Sequence, residues 1–414
     1  MDFDDTAEEA AFRAEVRAFL DKHAERKRPG AMEYQKQAEA DKLAGARRWQ
    51  ATKAEAGFVG ITWPKSVGGR GGKPIHEVIY RQEEKNYRVP HGIYEVGLGV
   101  CLPVLLAYGR KEDIARYVPP ALSGKEIWCQ LYSEPVAGSD LAGLRTRSTR
   151  EGDEWIIDGQ KIWTSMATFS DFGLIITRSD STVPKHEGLT AFFLDMRSKG
   201  IEIRPVKQMS GSANTSFNEV FLTGVRVSDT QRLGEPGEGW KVAVTGLMHE
   251  RFGVADSPAI LPGVEELQQL VSTLSDAQGA PLIRNPAVRE KLAELHVRTQ
   301  GLKYSEFRTI TALSHGREPG PESSITKLVH GSMALEISQL AVDFLGMSGL
   351  IMDAGIAPMN SWFQNAFLAS PTGRLAGGSD EILRNIIGER VLGLPADARA
   401  DKDLPFNQIR TGGR

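Results

Sequence analysis

The chain has 414 residues, 41% hydrophobic and 25% charged, which are ordinary proportions for a folded globular protein and exclude extended disorder. Its 50 Lys and Arg against 53 Asp and Glu leave a net charge of −3, so the chain carries no overall electrostatic footprint for nucleic acid or an anionic membrane. At roughly 150 residues per domain the length fits two or three domains, and 43 Gly point to many turns or to loops where backbone approaches a ligand.

Thr6-Ala7-Glu8-Glu9 has the form of a capping box, and Phe12, Val16, Phe19 and Leu20 then recur at helical spacing. Trp63 to Gly71 reads as a loop, because Pro64 and several turn formers fall together there. The helical pattern resumes from about His76 to Leu122. Val96 to Tyr108 is the most apolar stretch; Gly97, Gly99 and Pro103 break it, and it is too short to span a bilayer. The acidic start, Met1-Asp2-Phe3-Asp4-Asp5, is unlike a secretory signal or an Arg-rich transit peptide. The two cysteines, Cys101 and Cys129, sit in apolar runs and read as buried small hydrophobes, not as a disulfide framework or a zinc site. These features predict a soluble, reduced, cytoplasmic protein without a metal centre.

From about Ile127 the texture changes to short β-rich runs: Trp155-Ile156-Ile157, Ile162-Trp163, Gly173 to Thr177, Leu189 to Leu194, Ile201 to Ile203 and Val220 to Leu222. Asp158-Gly159 between two of them is a hairpin signal, and strands at this spacing predict an antiparallel sheet or barrel. After the turn-rich Gly234 to Gly239 the helical period returns, with breaks at Ala280-Pro281 and Pro319-Gly320-Pro321, and runs to about Leu392. The polar tail from Pro395 reads as frayed or as an arm on a neighbour. The order predicts an α+β protein: an N-terminal helical domain over 1–126, a β domain over 127–233, a helical bundle over 234–396 and a tail over 397–414.

Three motifs stand in this frame. Leu131-Tyr132-Ser133-Glu134-Pro135-Val136-Ala137-Gly138-Ser139-Asp140 resembles the flavin-binding signature of acyl-CoA dehydrogenases, and Gly159-Gln160-Lys161-Ile162-Trp163-Thr164-Ser165 resembles the element that follows it. Gly377-Gly378-Ser379-Asp380-Glu381-Ile382, followed by Arg384-Asn385-Ile386-Ile387, is similar to that family's C-terminal signature. Any one of these is weak; three in order and spacing, over essentially the whole chain, are specific. The resemblance implies a helical domain, an antiparallel β domain and a C-terminal four-helix bundle. It also implies FAD, an acyl-CoA substrate, and electrons leaving through an electron-transfer flavoprotein. In the family a carboxylate takes the α-proton while the β-hydrogen passes as hydride to flavin N5. Flavin asks for hydrogen bonds to its polar edge, a neutralised diphosphate and a flat apolar wall. The resemblance puts Ser133 at the isoalloxazine edge within the run Leu131-Tyr132-Ser133. It puts Gly138 and Ser139 at the diphosphate and the substrate chain, Trp163 as the wall, Thr164 beside it and Ser165 near N5. Ser379 and Glu381 fall at the diphosphate and its surroundings; Glu381 also suits the negative charge favoured at a helix start.

Where many members of the family carry the catalytic Glu in the C-terminal signature, this chain has Gly377, which cannot take a proton. A second solution in the family places the base beside an Arg on the helix after the β domain. Here Glu250-Arg251 stand there, and Ala243, Leu247, Glu250 and Val254 share one helical stripe. Glu250 is therefore the expected base, its pKa raised by burial under an acyl chain. Gly377 keeps a backbone N–H for the thioester oxygen, and Arg251 is expected as a substrate or structural contact rather than a catalyst.

Family homotetramers complete each FAD site with residues lent by a neighbour. In the family these are Arg-x-x-Phe-Gly and Gln-x-x-Gly-Gly-x-Gly; the corresponding elements here are Ser275-Asp276-Ala277-Gln278-Gly279, which lacks the Arg and Phe, and Asp343 to Gly349, where Asp343 replaces Gln and Met347 replaces a Gly. The elements acting on the chain's own FAD are intact and the lent ones are eroded. That pattern predicts either a homotetramer that grips FAD with other residues or an α2β2 heterotetramer with a homologous subunit, as among dehydrogenases of bulky steroid side-chain thioesters. A flavin oxidase or monooxygenase of the same fold needs no α-proton base, so Glu250 argues against it. A non-catalytic subunit has no use for Ser133, Ser139, Trp163 and Ser165 together.

Overall fold

The structure is a computed structural model that describes residues 5–27, 39–209, 217–254, 262–314, 320–398 and 401–409; the side chains of 39, 250–254 and 313–314 lie outside that description. Helix α1 (Ala7–His23) opens on the expected capping box: Thr6 Oγ1 accepts from the Glu9 N–H at 3.3 Å and Glu9 Oε2 from the Thr6 N–H at 2.8 Å. It buries Phe12, Val16, Phe19 and Leu20. Then come β1 (Glu25–Arg26), α2 (Glu39–Glu55), α3 (Pro74–Glu84), β2 (Tyr87–Arg88), α4 (Leu102–Tyr108) and α5 (Lys111–Leu122). The strands of the middle region are β3 (Trp128–Leu131), β4 (Arg147–Glu151), β5 (Glu154–Lys161), β6 (Phe172–Arg178), β7 (Leu189–Asp195), β8 (Ile201–Pro205), β9 (Asn218–Ser228) and β10 (Arg232–Gly237). Helices α6 (Gly239–Val254), α7 (Val264–Thr273), α8 (Pro286–Ser314), α9 (Ser323–Leu345), α10 (Trp362–Ala369) and α11 (Asp380–Ile386) follow.

The chain divides into two compact units: 1–38 with 73–89 and 255–396, and 39–72 with 90–254 and 397–414. In the first, helical unit, α7, α8, α9 and α10 share one apolar core through Leu267, Leu270, Leu295, Met333, Ile337 and Phe363. Helix α6 opens the region where a bundle is expected, but it belongs to the other unit.

The second unit is built on a sheet ordered β10-β7-β6-β4-β5-β9-β8, with β3 also paired to β6. Strands β6 and β7 are buried on both faces, which explains their unbroken apolar runs. Leu174, Ile176, Ala191 and Phe193 pack with Val104, Leu105, Val242 and Ala243 of α4 and α6. Ile175, Phe192 and Leu194 face the opposite way, against Trp155, Ile157, Val220 and Val225. The sheet is mixed rather than purely antiparallel. Strand β3 runs parallel to β6, because the chain reaches β6 through a long connection holding β4 and β5.

Two expectations need correction. Asp158-Gly159 is not a hairpin turn: it lies inside β5, where β9 carries one extra residue opposite Ile157–Gly159. Gly224 takes the left-handed conformation there (φ 60°), and its N–H donates to Asp158 Oδ1 at 2.8 Å. A Cβ at Gly159 would lie 2.5 Å from Thr146 Oγ1, so close strand packing explains this glycine. The actual β4–β5 turn is Gly152-Asp153, with Gly152 at φ 63°. The tail is not frayed over 401–409 either. Phe406 and Asn407 donate backbone bonds to Val183 and Ser181 in their own unit.

Cys101 and Cys129 are both buried thiols that form no disulfide, and burial pushes the Cys129 thiol up to about 12. Among the described residues no helix is long and apolar enough to cross a membrane. No group of three or more His, Cys, Asp or Glu suited to a metal ion occurs among them.

Candidate active site

Leu131 ends β3 fully buried, Tyr132 is buried beside it, and the chain then turns out to Ser133, which is half-buried. The loop that follows is closed by reciprocal backbone bonds between Glu134 and Ala137, at 2.9 and 3.0 Å, around Pro135-Val136. Glu134 points inward. Its Oε2 accepts from the Arg145 N–H at 2.6 Å, and its Oε1 from the Thr146 N–H at 2.9 Å and from Lys161 Nζ at 2.8 Å. Lys161 is fully buried and spends its other two protons on the carbonyls of Tyr132 (3.0 Å) and Ile176 (2.8 Å).

A buried ion pair offsets its desolvation only when its remaining hydrogen-bonding groups are satisfied, and this one meets that condition. Burial pushes the Glu134 carboxyl up, but the adjacent ammonium and the two N–H donors outweigh it and hold the group below its ordinary value. The motif loop is thereby tied to β5 and β6. Sequence reasoning assigned neither residue this role. The signal was available: counting by two along β5 from Trp155 and Ile157 leads to Lys161 on the buried face.

The second motif departs from the expected strand. Strand β5 stops at Lys161; Ile162 donates to the Ser133 carbonyl at 2.9 Å, and Trp163 takes the left-handed conformation at φ 60°. A non-glycine residue there costs about 1 kcal/mol, so its surroundings must hold it. Asn218, which the sequence did not single out, supplies that hold. Its carbonyl accepts from the Thr164 N–H, its Nδ2 donates to the Thr164 carbonyl, both at 3.0 Å, and its Oδ1 accepts from Thr168 Oγ1 at 2.9 Å. The Trp163 indole is left 56% exposed, edge-on to Phe217. Thr164 Oγ1 is buried without a hydrogen-bond partner among the described residues. Ser165 beside it is half-buried. Gly138 and Ser139 are exposed, and a Cβ at Gly138 would meet nothing within 4 Å.

Helix α6 presents Val242, Ala243 and Gly246 to the core of the same unit. A Cβ at Gly246 would lie 3.0 Å from Val100 Cγ1 and 3.1 Å from the Tyr132 hydroxyl. Leu247, the next member of the predicted stripe, packs against that core. Glu250 and Arg251 fall near the end of α6, and their side chains lie outside the described residues.

The third motif belongs to the helical unit. Gly377 and Gly378 both take positive φ, 67° and 100°, which alone explains two glycines. Lys327 Nζ from α9 donates to the Gly378 carbonyl at 2.6 Å, a tether that the sequence did not suggest. The Ser379 hydroxyl caps α11 by accepting from the Ile382 N–H at 3.4 Å, and Glu381 is exposed in the first turn of that helix. Arg374 Nε pairs with the buried Asp380 at 2.7 Å.

The two eroded elements also lie in the helical unit. Around Ser275–Gly279, Asp276 Oδ1 accepts from the N–H groups of Gln278 (3.0 Å) and Ala280 (2.9 Å), forming a self-contained turn. Asp343 is exposed at the end of α9. The turn after it leaves Met347 81%, Leu350 71% and Ile356 71% exposed.

Family models match this chain in three consecutive stretches: acyl-CoA dehydrogenase N-terminal domain over residues 6–125, middle domain over 129–225 and C-terminal domain over 237–392. The protein called acyl-CoA dehydrogenase IpdE1 of Mycobacterium tuberculosis is 34% identical over 353 residues, covering 85% of this chain and 89% of that one. Among solved structures, the ChsE4-ChsE5 complex from Mycobacterium tuberculosis is similar with a TM-score of 0.78 at 26% identity, covering 96% of this chain and 100% of that chain. A structure described as the Tcur3481-Tcur3483 steroid ACAD gives a TM-score of 0.77 at 27% identity, with the same coverage. With all three motifs in place and three family domains matched along its length, the chain belongs to the acyl-CoA dehydrogenase family.

Proposed function

We propose that this chain is the catalytic subunit of a cytoplasmic FAD-dependent dehydrogenase that converts an acyl-CoA thioester to its trans-2-enoyl-CoA. The observation that carries the reading is the loop pair of the β unit: an exposed indole held in left-handed backbone beside a buried threonine hydroxyl without a partner among the described residues, one hydrogen bond from Ser133. These residues fit FAD. Trp163 offers the flat wall, Thr164 a hydroxyl that needs a partner, and Ser133 and Ser165 polar groups for the ring edge. The chain's own packing does not require glycine at 138, which agrees with a diphosphate approaching there beside the Ser139 hydroxyl. Leu131 and Tyr132 form the buried support of the loop, and Ser379 and Glu381 complete the cofactor set.

When bound, FAD supplies the acceptor for the hydrogen and electron pair that leave Cβ. Glu250 takes the proton from Cα, and the Gly377 N–H donates to the thioester oxygen as negative charge develops there. Ser139 and Arg251 hold the substrate. Electrons pass on to an electron-transfer flavoprotein. The assembly is an α2β2 heterotetramer with a homologous subunit, and the acyl group is a bulky, steroid-derived one. The two similar structures, one a two-protein complex and the other described as a steroid ACAD, support this. So do Asp343 in place of Gln and the exposed apolar turn that follows it.

Glu250→Gln is expected to lower kcat by about a thousandfold while the visible flavin spectrum is kept; full dehydrogenation by this variant removes Glu250 as the base. Measuring FAD per chain after expression with and without the homologous subunit tests the assembly. One tight FAD per chain in the singly expressed protein removes the need for a partner.

A further inference from the structure

The segment from Asp401 to Ile409 lies beyond the residues matched to the family's domains. It is fastened to the loop between β6 and β7. The Phe406 and Asn407 N–H groups donate to the carbonyls of Val183 and Ser181, both at 2.9 Å, and Pro405 pairs with Pro184. The Asp401 carboxylate accepts from Lys185 Nζ at 2.8 Å.

The contacts continue past that loop. Lys185 Nζ also reaches Asp140, the residue after Ser139, at 3.1 Å. Arg178, at the end of β6 and only 4% exposed, lies 3.8 Å from the centre of the Phe406 ring. Its guanidinium donates to the carbonyls of Lys185 and of Ala142, two residues beyond Asp140. Arg178 makes no ion pair among the described residues, and burial pushes its pKa down to about 10. Such a cation keeps its bonds to neutral carbonyls while water is excluded, and a ring over its face excludes water and favours the charge. Phe406 is that ring.

We propose that segment 401–409 is a clasp on the Gly138–Asp140 loop, with Phe406 over Arg178 and Asp401 on Lys185 as positioning residues. The clasp fixes the loop in the shape that binds FAD and acyl-CoA, which rests on the assignment of Ser139 made above.

Two kinds of measurement keep the clasp and the site assignment apart. In the full-length protein, Phe406→Ala and Asp401→Asn are expected to speed amide hydrogen exchange over 138–145, by about tenfold for Phe406→Ala, the scale of a desolvated cation–π contact. The same variants are expected to bind FAD more weakly and to raise KM for acyl-CoA several-fold, with kcat little changed. Phe406→Trp, which keeps a ring face, is expected to restore both. Unchanged exchange in Phe406→Ala overturns the clasp. Faster exchange with unchanged affinities also overturns it, provided that Ser139→Ala weakens them. If Ser139→Ala leaves both affinities as they were, the site assignment falls, and the exchange result alone decides the clasp.

Discussion

The Ser133–Asp140 loop and the Gly346–Ile356 stretch both come from short motifs, yet the chain treats them oppositely. The first is braced from inside: a buried Glu134–Lys161 pair satisfies four carbonyl or N–H groups of the loop and its neighbours, and Asn218 fixes the adjoining turn. The second turns Met347, Leu350, Met352 and Ile356 outward, and its polar tether is Gln364 Nε2 to the carbonyls of Ser348 (3.3 Å) and Ile351 (3.2 Å). A loop that satisfies its own polar groups holds its geometry unaided. A cluster of exposed apolar side chains marks a contact surface. In the proposed FAD site, the chain preforms the braced loop alone and leaves the apolar turn to assembly.

The strongest way to break that contrast is Lys161→Met, which strands a buried carboxylate. The expected loss is about 3 to 5 kcal/mol, measured by urea unfolding, and Lys161→Met with Glu134→Gln should lose clearly less. An equal loss in the single and double variants denies the brace its role. Asn218→Ala leaves the Thr164 carbonyl and the Thr168 hydroxyl short of a partner. About 1 to 3 kcal/mol and weaker FAD binding are expected, and wild-type retention of FAD on dilution counts against this.

A smaller effect tests the β unit by pH. Hydrogen bonds from Arg232 and Trp155 hold the Asp229 carboxyl down to about 2. A depressed carboxyl contributes stability above its ordinary pKa and loses it as pH falls from about 4 to about 2. Wild type should exceed Asp229→Asn by on the order of 1 kcal/mol at pH 7, after discounting for partial exposure. A thermal melt series should show the gap closing near pH 2; a gap that stays constant with pH refutes the assignment. Met347→Asp with Ile356→Asp should change the fold least, within about 0.5 kcal/mol, yet abolish assembly with the proposed homologous subunit by light scattering. A larger loss of stability in the isolated chain sets the turn beside the braced loop and erases the contrast.

What the sequence made legible is what is encoded locally. The capping box at Thr6, the helical stripe of α1 and the two-sided apolar runs of β6 and β7 need only neighbours a few residues away. Asp158-Gly159 misled because its dipeptide chemistry suits a turn, whereas the outcome is set across the sheet by the extra residue near Gly224. The tail misled because its polarity suggested fraying, while its anchors are backbone bonds, one ring and the Asp401–Lys185 ion pair. In the candidate site, Ser133, Gly138, Ser139 and Trp163 were visible as a motif. The partners of their supports were not: alternation along β5 places Lys161 on the buried face, but Lys161 acts on a residue 27 positions away, Asn218 on one 54 away and Lys327 on one 51 away. No local pattern carries such pairings.

The complete burial of Lys161 also gives the protein a built-in chemical clock. An amine with no solvent exposure reacts with an acylating reagent only when the β unit opens. Its modification rate, read by mass spectrometry against the exposed lysines of the same molecule, reports how often the floor beneath the Ser133 loop comes apart. A bound cofactor that holds the loop closed slows that clock in proportion to its occupancy.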